Sequence, residues 1–436
     1  MSGMSEIAVG CIGLVALLIL FLSGIELAFA MTIIGIVGFG CLRSFNAAVN
    51  LFANDYFSAL TSYAFTVIPL FVLMGQVAFN SGMADKLYST TRKFVGHVPG
   101  GLALATVLGA TIFKAISGST LATAATFSSV AIPEMDKYGY SRRLSTGVVA
   151  SVGTLGMLIP PSGNLIIFAM ITEQSVGKLF MAGIVPGLIM AVFFILVVVG
   201  WVKVDPSLAP KGPRFGWRER LKGVPRIIWP LIIFTVVIGG LLAGFFTPTE
   251  AGAVGAIAVL ALTVGKRDLD FRGFVKSLSE SLRMACMVLF LIAGSTVLGH
   301  FIAMSKIPTA VASWALGLAV NPFLIIGLIV FVYLLGGSFI DDLAFMILAT
   351  PIFYPVVLQL GFDPIWFAMI IAVTLMIGVI IPPVAIAVFV VKSITKESVW
   401  LVYRGVTPFL TALFVGLLLL FIFPGIATWL PNLLMK

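Results

Sequence analysis

Charge is scarce in this sequence. Asp, Glu, Lys and Arg make up 10% of its 436 residues, against 60% hydrophobic residues. Soluble globular domains carry about 25% charged residues. A chain so poor in charge cannot cover itself with polar surface, which leaves lipid as its solvent. Cysteine and histidine are scarce too. Cys11, Cys41 and Cys286 lie in apolar runs without CxxC spacing, so neither a disulfide framework nor a thiolate metal site is expected. His97 and His300 lack the spacing of metal ligands. No G-x-x-x-x-G-K-[ST] loop occurs, and no soluble segment is long enough to hold ATP. HExxH and GxSxG motifs are also missing, which argues against an intramembrane enzyme.

What the chain has is apolar runs of roughly 18 residues, repeated from end to end, as helices crossing about 30 Å of hydrocarbon require. A β-barrel would show alternating segments of about ten residues instead. The fold class expected is an all-α polytopic membrane protein. Spans are expected at 7–22, 25–42, 60–80, 144–172 and 181–202, then at 227–246, 248–265, 284–304, 364–392 and 405–423. Ala28-Phe29-Ala30 resembles a signal-peptidase site, but only Glu6 precedes the first run, without positive charge, so 7–22 is expected to stay as a span. The segment 98–136 holds two shorter helices, Gly100–Ile116 and Thr120–Pro133, around the polar centre Ser117-Gly118-Ser119-Thr120. That centre is too short and uncharged for an external loop and suits the tip of a re-entrant hairpin buried in protein. A second hairpin is expected at 320–362, with its tip near Gly336-Gly337-Ser338.

The sequence also repeats itself. Ile159-Pro160-Pro161 returns as Ile381-Pro382-Pro383, and Ile171-Thr172 with Ser175-Val176 returns as Ile394-Thr395 with Ser398-Val399. Gly183 and Pro186 match Gly405 and Pro408, Glu26 matches Glu250, and Gly75 matches Gly294. These matches keep their order at a nearly constant offset. They predict a first repeat over 1–202, a basic cytoplasmic linker over 203–226 and a second repeat over 227–436. Five crossings per repeat, an odd number, turn the second upside down relative to the first. The net charge of +9 fits this topology rather than nucleic-acid binding. With 203–226 in the cytoplasm, 21 of the 26 Lys and Arg fall on cytoplasmic loops or span ends. Arg43, Lys178, Lys306 and Lys436 fall outside, and Lys114 lies within the first hairpin.

Inverted halves with broken helices are a transporter architecture, in which freed carbonyls bind Na⁺ and helix N-termini bind anions near the midplane. Pro160-Pro161 and Pro382-Pro383 each remove two backbone donors beside Gly153, Gly156 and Gly378, so both mark helix breaks. Ionisable residues at membrane depth mark function by default. Asp341 or Asp342 is expected to meet a cation or substrate. Glu26 and Glu250 are expected to complement helix N-termini. Lys114 is expected either to attract substrate or to snorkel. Without a nucleotide site, an ion gradient is the natural energy source; at least two Na⁺ with a monoanion would make import electrogenic.

At these motifs the chain resembles the large membrane subunit of tripartite ATP-independent periplasmic (TRAP) transporters. The resembling stretches are Ala115-Ile116-Ser117-Gly118-Ser119-Thr120-Leu121-Ala122-Thr123, Ile132-Pro133-Glu134-Met135, Gly153-Thr154-Leu155-Gly156 through Ile159-Pro160-Pro161-Ser162, Thr172-Glu173, and Ala182-Gly183-Ile184-Val185-Pro186-Gly187. Phe339-Ile340-Asp341 and Asp363-Pro364 add to them in the second half. The resemblance implies an elevator-type ion transporter fold and a multi-pass location in the bacterial inner membrane. It implies two partners, a small four-helix membrane subunit and a periplasmic substrate-binding protein that delivers an organic anion. The small subunit is fused to the large one in some members; here it is expected to be a separate polypeptide. At least two Na⁺ sites are implied. One would use Ser117 and Ser119 with backbone oxygens of Gly156, Ile159 and Pro161. The other would use the Gly337 region with Gly378, Ile381 and Pro383. Substrate would sit near Ser119, Asn164 and Asp341. Asn164 departs from the commonest family pattern, in which an apolar residue or serine stands there, and so bears on substrate choice. A stand-alone Na⁺- or H⁺-coupled anion symporter of related fold is the competing expectation; it would transport without partners.

Overall fold

Among the described residues, caps and breakers mark out twenty α-helices and no strand. The computed structural model describes residues 5–317 and 320–434. α1 (Glu6–Leu22) and α2 (Leu27–Leu42) are followed by α3 (Phe45–Thr61) and, after one 3₁₀ turn, α4 (Val67–Asn80). α5 (Met83–Val95) leads to a helical pair, α6 (Gly101–Ser117) and α7 (Thr120–Lys137). α8 (Arg142–Val152) passes through a 3₁₀ segment, Gly153–Met157, and the Pro160-Pro161 break into α9 (Gly163–Thr172), and α10 (Val176–Val204) follows. The remaining helices again include a pair and a Pro-Pro break. α11 (Trp217–Leu242), α12 (Pro248–Gly265), α13 (Phe271–Met304) and α14 (Ile307–Gly317) precede a second pair, α15 (Pro322–Phe339) and α16 (Asp342–Gln359). α17 (Pro364–Gly378) breaks at Pro382-Pro383 before α18 (Ile386–Thr395), then come α19 (Val399–Ile422) and α20 (Gly425–Leu434). Both Pro-Pro bonds are cis.

Local chemistry sets the boundaries. Ser119, Ser162, Ser175 and Ser398 each accept a first-turn backbone N–H of the helix they open, as N-cap residues do. Asp363 accepts from Ile365 and Trp366 at 2.7 and 3.0 Å, with Pro364 in the first helical position. Thr247 and Glu250 form a reciprocal capping box on α12: the Thr247 N–H donates to Glu250 at 2.8 Å and the Glu250 N–H to Thr247 at 3.3 Å. Glu26, unlike Glu250, precedes its helix, α2, without a side-chain cap bond.

Among the described residues, eight helices are long and apolar enough to cross a membrane, counting the 3₁₀ turn with α4. α1 and α2, at 17 and 16 residues, are shorter apolar helices. Several elements differ from the sequence expectation. α3, α5, α14 and α20 were not expected. The 203–226 linker is not all loop: α10 runs to Val204 and α11 starts at Trp217. α13 begins at Phe271, well before the span expected from 284. The second pair turns at Ile340-Asp341, not at Gly336-Gly337-Ser338, which forms the last turn of α15. The glycines there serve close approach. The Phe345 ring lies where a Gly336 Cβ would be, and a Cβ on Gly378 would stand 2.9 Å from the Gly337 carbonyl carbon. The break comes where Asp341 caps α16.

Packing places the broken helices at the centre. Every residue of α17 from Ile365 to Gly378 is buried, as are those of α8 from Leu144 to Val152. A helix that is apolar all round belongs inside. Trp366 anchors α17 to α19 by donating its indole N–H to the Leu420 carbonyl at 2.8 Å. Outside, large apolar side chains such as Leu18, Ile19, Phe57, Leu188, Leu324 and Leu418 remain exposed, the surface that lipid covers. Long-range packing is reciprocal. α2 packs on α13 and α12 on α4; α7 packs on α18 and α16 on α9.

Candidate functional site

The first helical pair ends on a tip made of Gly118 and Ser119. Gly118 has φ +59°, a left-handed conformation that glycine adopts without strain, and a Cβ there would stand 2.8 Å from the Pro161 carbonyl oxygen. The tip therefore rests on the break between α8 and α9. On its other side it rests on α4, where a Gly75 Cβ would lie 2.5 Å from the Ser117 carbonyl oxygen. Ser119 accepts the Ala122 N–H at 3.3 Å, and Thr123 donates to the Ser119 carbonyl at 2.9 Å. Ser117 lies 3.4 Å from the Thr123 hydroxyl. Ser162 donates to the Met157 carbonyl at 2.9 Å and caps α9. The break is thus held by side chains where proline removes backbone donors.

The second tip stands against the second break. Gly337 meets Gly378, and the Val384 N–H donates to the Ser338 carbonyl at 3.2 Å. Tyr403 donates to the Pro383 carbonyl at 3.0 Å.

A cleft with an empty volume of about 1020 Å³, its open mouth included, lies between these tips and the helices α4 and α13. Three helix N-termini reach it: α7 at Thr120, α9 at Gly163 and α16 at Asp342. Its remaining wall is mostly apolar, with Phe71, Ile167 and Met287. Its polar side chains include Ser117, Ser119, Gln76, Asn164, Asp341 and Asp342, and no Lys or Arg lines it among the described residues. Asn164 and Asp342, remote in sequence, meet here: the Asn164 amide donates to Asp342 Oδ2 at 2.9 Å, and both residues are buried. Asp341 has another task. Its Oδ1 accepts the N–H groups of Leu343 and Ala344 at 3.1 and 3.3 Å.

Of the residues expected in the site, Ser117, Ser119, Pro161, Asn164 and Asp341 line this cleft. Gly156 and Ile159 lie behind it in the first break, while Gly337, Gly378, Ile381 and Pro383 belong to the second tip and break. Gln76 and the apolar wall of α4 and α13 were missed; nothing in the sequence distinguishes them from other span residues. Lys114 follows neither expectation. It is fully buried, so it does not snorkel, and it is not in the cleft wall.

Residues 14–426 match the family model described as the tripartite ATP-independent periplasmic transporter, DctM component. This chain belongs to that family. It is 37% identical over 387 residues to the C4-dicarboxylate TRAP transporter large permease protein DctM of Pseudomonas aeruginosa, covering 88% of this chain and 90% of that protein. It is 31% identical to the sialic acid TRAP transporter large permease protein SiaM of Vibrio cholerae, with 89% and 91% covered. The fold is also that of a solved transporter, Alcanivorax borkumensis YdaH, at a TM-score of 0.61 and 16% identity over 86% of this chain and 87% of that one. The family is one of transporter permeases, not enzymes.

Proposed function

We propose that this DctM-family chain is the translocating subunit of a Na⁺-coupled importer of small organic anions. In this proposal it sits in the bacterial inner membrane beside a small membrane subunit and receives solute from a periplasmic binding protein. One observation carries the reading, the cleft in which the N-termini of α7 and α9 converge beside Asp341 and Asp342. Each helix N-terminus offers unpaired N–H groups and about half a positive charge, so a carboxylate has partners there without a basic side chain. Two aspartates facing the same space would repel that anion unless cations accompany it. Co-binding of Na⁺ meets this need. The oxygens for it lie at two cradles, one where Ser117 and Ser119 face Gly156, Ile159 and Pro161, the other where the Gly337 region faces Gly378, Ile381 and Pro383.

The reciprocal packing of α2 on α13 and α12 on α4, with α7 on α18 and α16 on α9, supports two related halves of opposite orientation. Such a pair suits an elevator motion in which both tips move together against α4 and α13. The relatives named above are called transporters of a C4-dicarboxylate and of sialic acid, both organic acids, which supports a carboxylate as cargo.

The test is reconstitution of the three components in proteoliposomes with labelled organic acids. Uptake should require the binding protein and an inward Na⁺ gradient. Uptake by this chain alone would favour a stand-alone symporter. Uptake without any ion gradient would overturn the proposal.

A further inference from the structure

Lys114 is the buried ionisable side chain that the proposed mechanism leaves unused. It lies in the last turn of α6, four residues before the Gly118 tip, with 0% of its surface exposed. A buried ammonium needs partners that replace its water. None of the eight ion pairs among the described residues includes it. Its Nζ instead donates to the Ser119 backbone carbonyl at 2.5 Å, an oxygen of the tip itself. Its stem lies along Gly156: a Cβ at that glycine would stand 2.7 Å from Lys114 Cδ and 2.9 Å from Cε, and nearer still to Nζ. The Lys114 amine is therefore held between the tip and the α8–α9 break, behind the cleft wall, against backbone of Ser119 and Gly156.

We propose that the Lys114 ammonium is a tethered cation filling the first cradle, in the place a Na⁺ would take. An ammonium and an alkali cation ask the same of the protein, namely convergent oxygens at a helix break and a lack of competing donors. The two tips are unlike in this respect, since no Lys or Arg occurs in α15. The second cradle, around Gly337, Gly378, Ile381 and Pro383, has no such lysine on the helix that leads into its tip and is left to a free Na⁺. A charge fixed to the protein returns with it in every cycle and carries no net charge across the membrane. The two Na⁺ expected from two cradles then fall by one in the native chain. This inference rests on reading the tips as cation cradles.

The experiment compares the native protein with Lys114→Ala and Lys114→Arg. Two quantities are read: the rise in thermal midpoint on titrating Na⁺ against choline, and the Hill slope of Na⁺-dependent uptake in the complete system. Lys114→Ala is expected to gain a Na⁺-dependent rise in midpoint, because a ligand that binds the folded state stabilises it. Its Hill slope should increase, by one at most, because the number of bound cations sets the upper limit of that slope. Lys114→Arg, which keeps the charge, should gain neither. If Lys114→Ala accumulates only when Na⁺ is present, the cradle is equally supported. Should it not accumulate at all, Lys114→Met, which keeps the stem on Gly156 without the charge, is titrated in the same way. Equal Na⁺ responses in the native and uncharged variants overturn the tethered cation while leaving Na⁺ coupling intact. A native protein indifferent to Na⁺ beside a variant that responds overturns the coupling and upholds the tether.

Discussion

Replacing Asp342 with alanine is expected to lower anion uptake by roughly two orders of magnitude at matched protein levels, about 3 kcal/mol for losing one partner of a buried charged contact. The carboxylate sits in the first turn of α16, where the helix dipole favours its charge, and it accepts the Asn164 amide at 2.9 Å. That bond ties α16 to α9 inside the cleft, so its loss acts in two ways. The buried Asn164 amide is left unpaired, which costs about 1–3 kcal/mol. The N-terminus of α9, one of the two that would hold the anion, also loses its tie to α16. Asp342→Asn keeps an acceptor of the same shape and should retain more protein stability than Asp342→Ala, while changing the Na⁺ concentration needed for half-maximal uptake. Asp341→Asn is expected to do less structural damage, because the amide oxygen can still accept the Leu343 and Ala344 N–H groups. Uptake by Asp342→Ala within twofold of native would remove Asp342 from the site.

The division of labour between these two aspartates was hidden in the sequence, and the reason is distance. Asp341 and Asp342 are neighbours in the chain, and only the partner of each separates their roles; Asn164 lies 178 positions from Asp342. The first tip was legible because Ser117, Gly118, Ser119 and Thr120 are polar or flexible residues inside an apolar stretch. The second was misplaced because glycine carries two meanings. At Gly118 it marks a left-handed turn. At Gly336 and Gly337 it marks helix surfaces that a phenyl ring and another backbone approach. α5 was missed for a different reason. Its charged residues, Asp85, Lys86, Arg92 and Lys93, disqualify it as a span, yet its apolar face is buried through Met83, Leu87 and Tyr88. Lys114 was misjudged because a lysine in an apolar run usually reaches water. Here the chain continues into a tip that folds back over it.

The second large effect is expected at Gly147, where α8 crosses α19. A Cβ on Gly147 would meet the Gly405 carbonyl and stand 2.7 Å from its Cα; a Cβ on Gly405 would meet the Arg143 carbonyl and stand 3.0 Å from the Gly147 Cα and N. Both obstacles are backbone, which cannot swing aside as a side chain tip does. Small residues permit this approach, a common device where lipid supplies no hydrophobic drive for helix association. α8 has no room to retreat, since its neighbouring residues are buried as well, and a packed interior transmits such strain. Gly147→Ala is expected to cost about 1–3 kcal/mol as overpacking, and Gly147→Leu to abolish accumulation of folded protein. Gly200→Ala supplies the control, because a Cβ there meets nothing within 4 Å and Gly200 lies inside α10. Removing that helical glycine should raise stability by roughly 0.5–1 kcal/mol. The check is the thermal midpoint of detergent-purified protein by fluorescence-detected gel filtration, with equal midpoints for Gly147→Ala and native ruling out the tight crossing. The consequence should extend to uptake. α8 leads through Gly153–Met157 directly into Pro160-Pro161. A helix pushed off α19 therefore carries the Pro161 carbonyl away from the Gly118 tip, and Gly147→Ala that still folds should take up anion at a lower maximal rate than native.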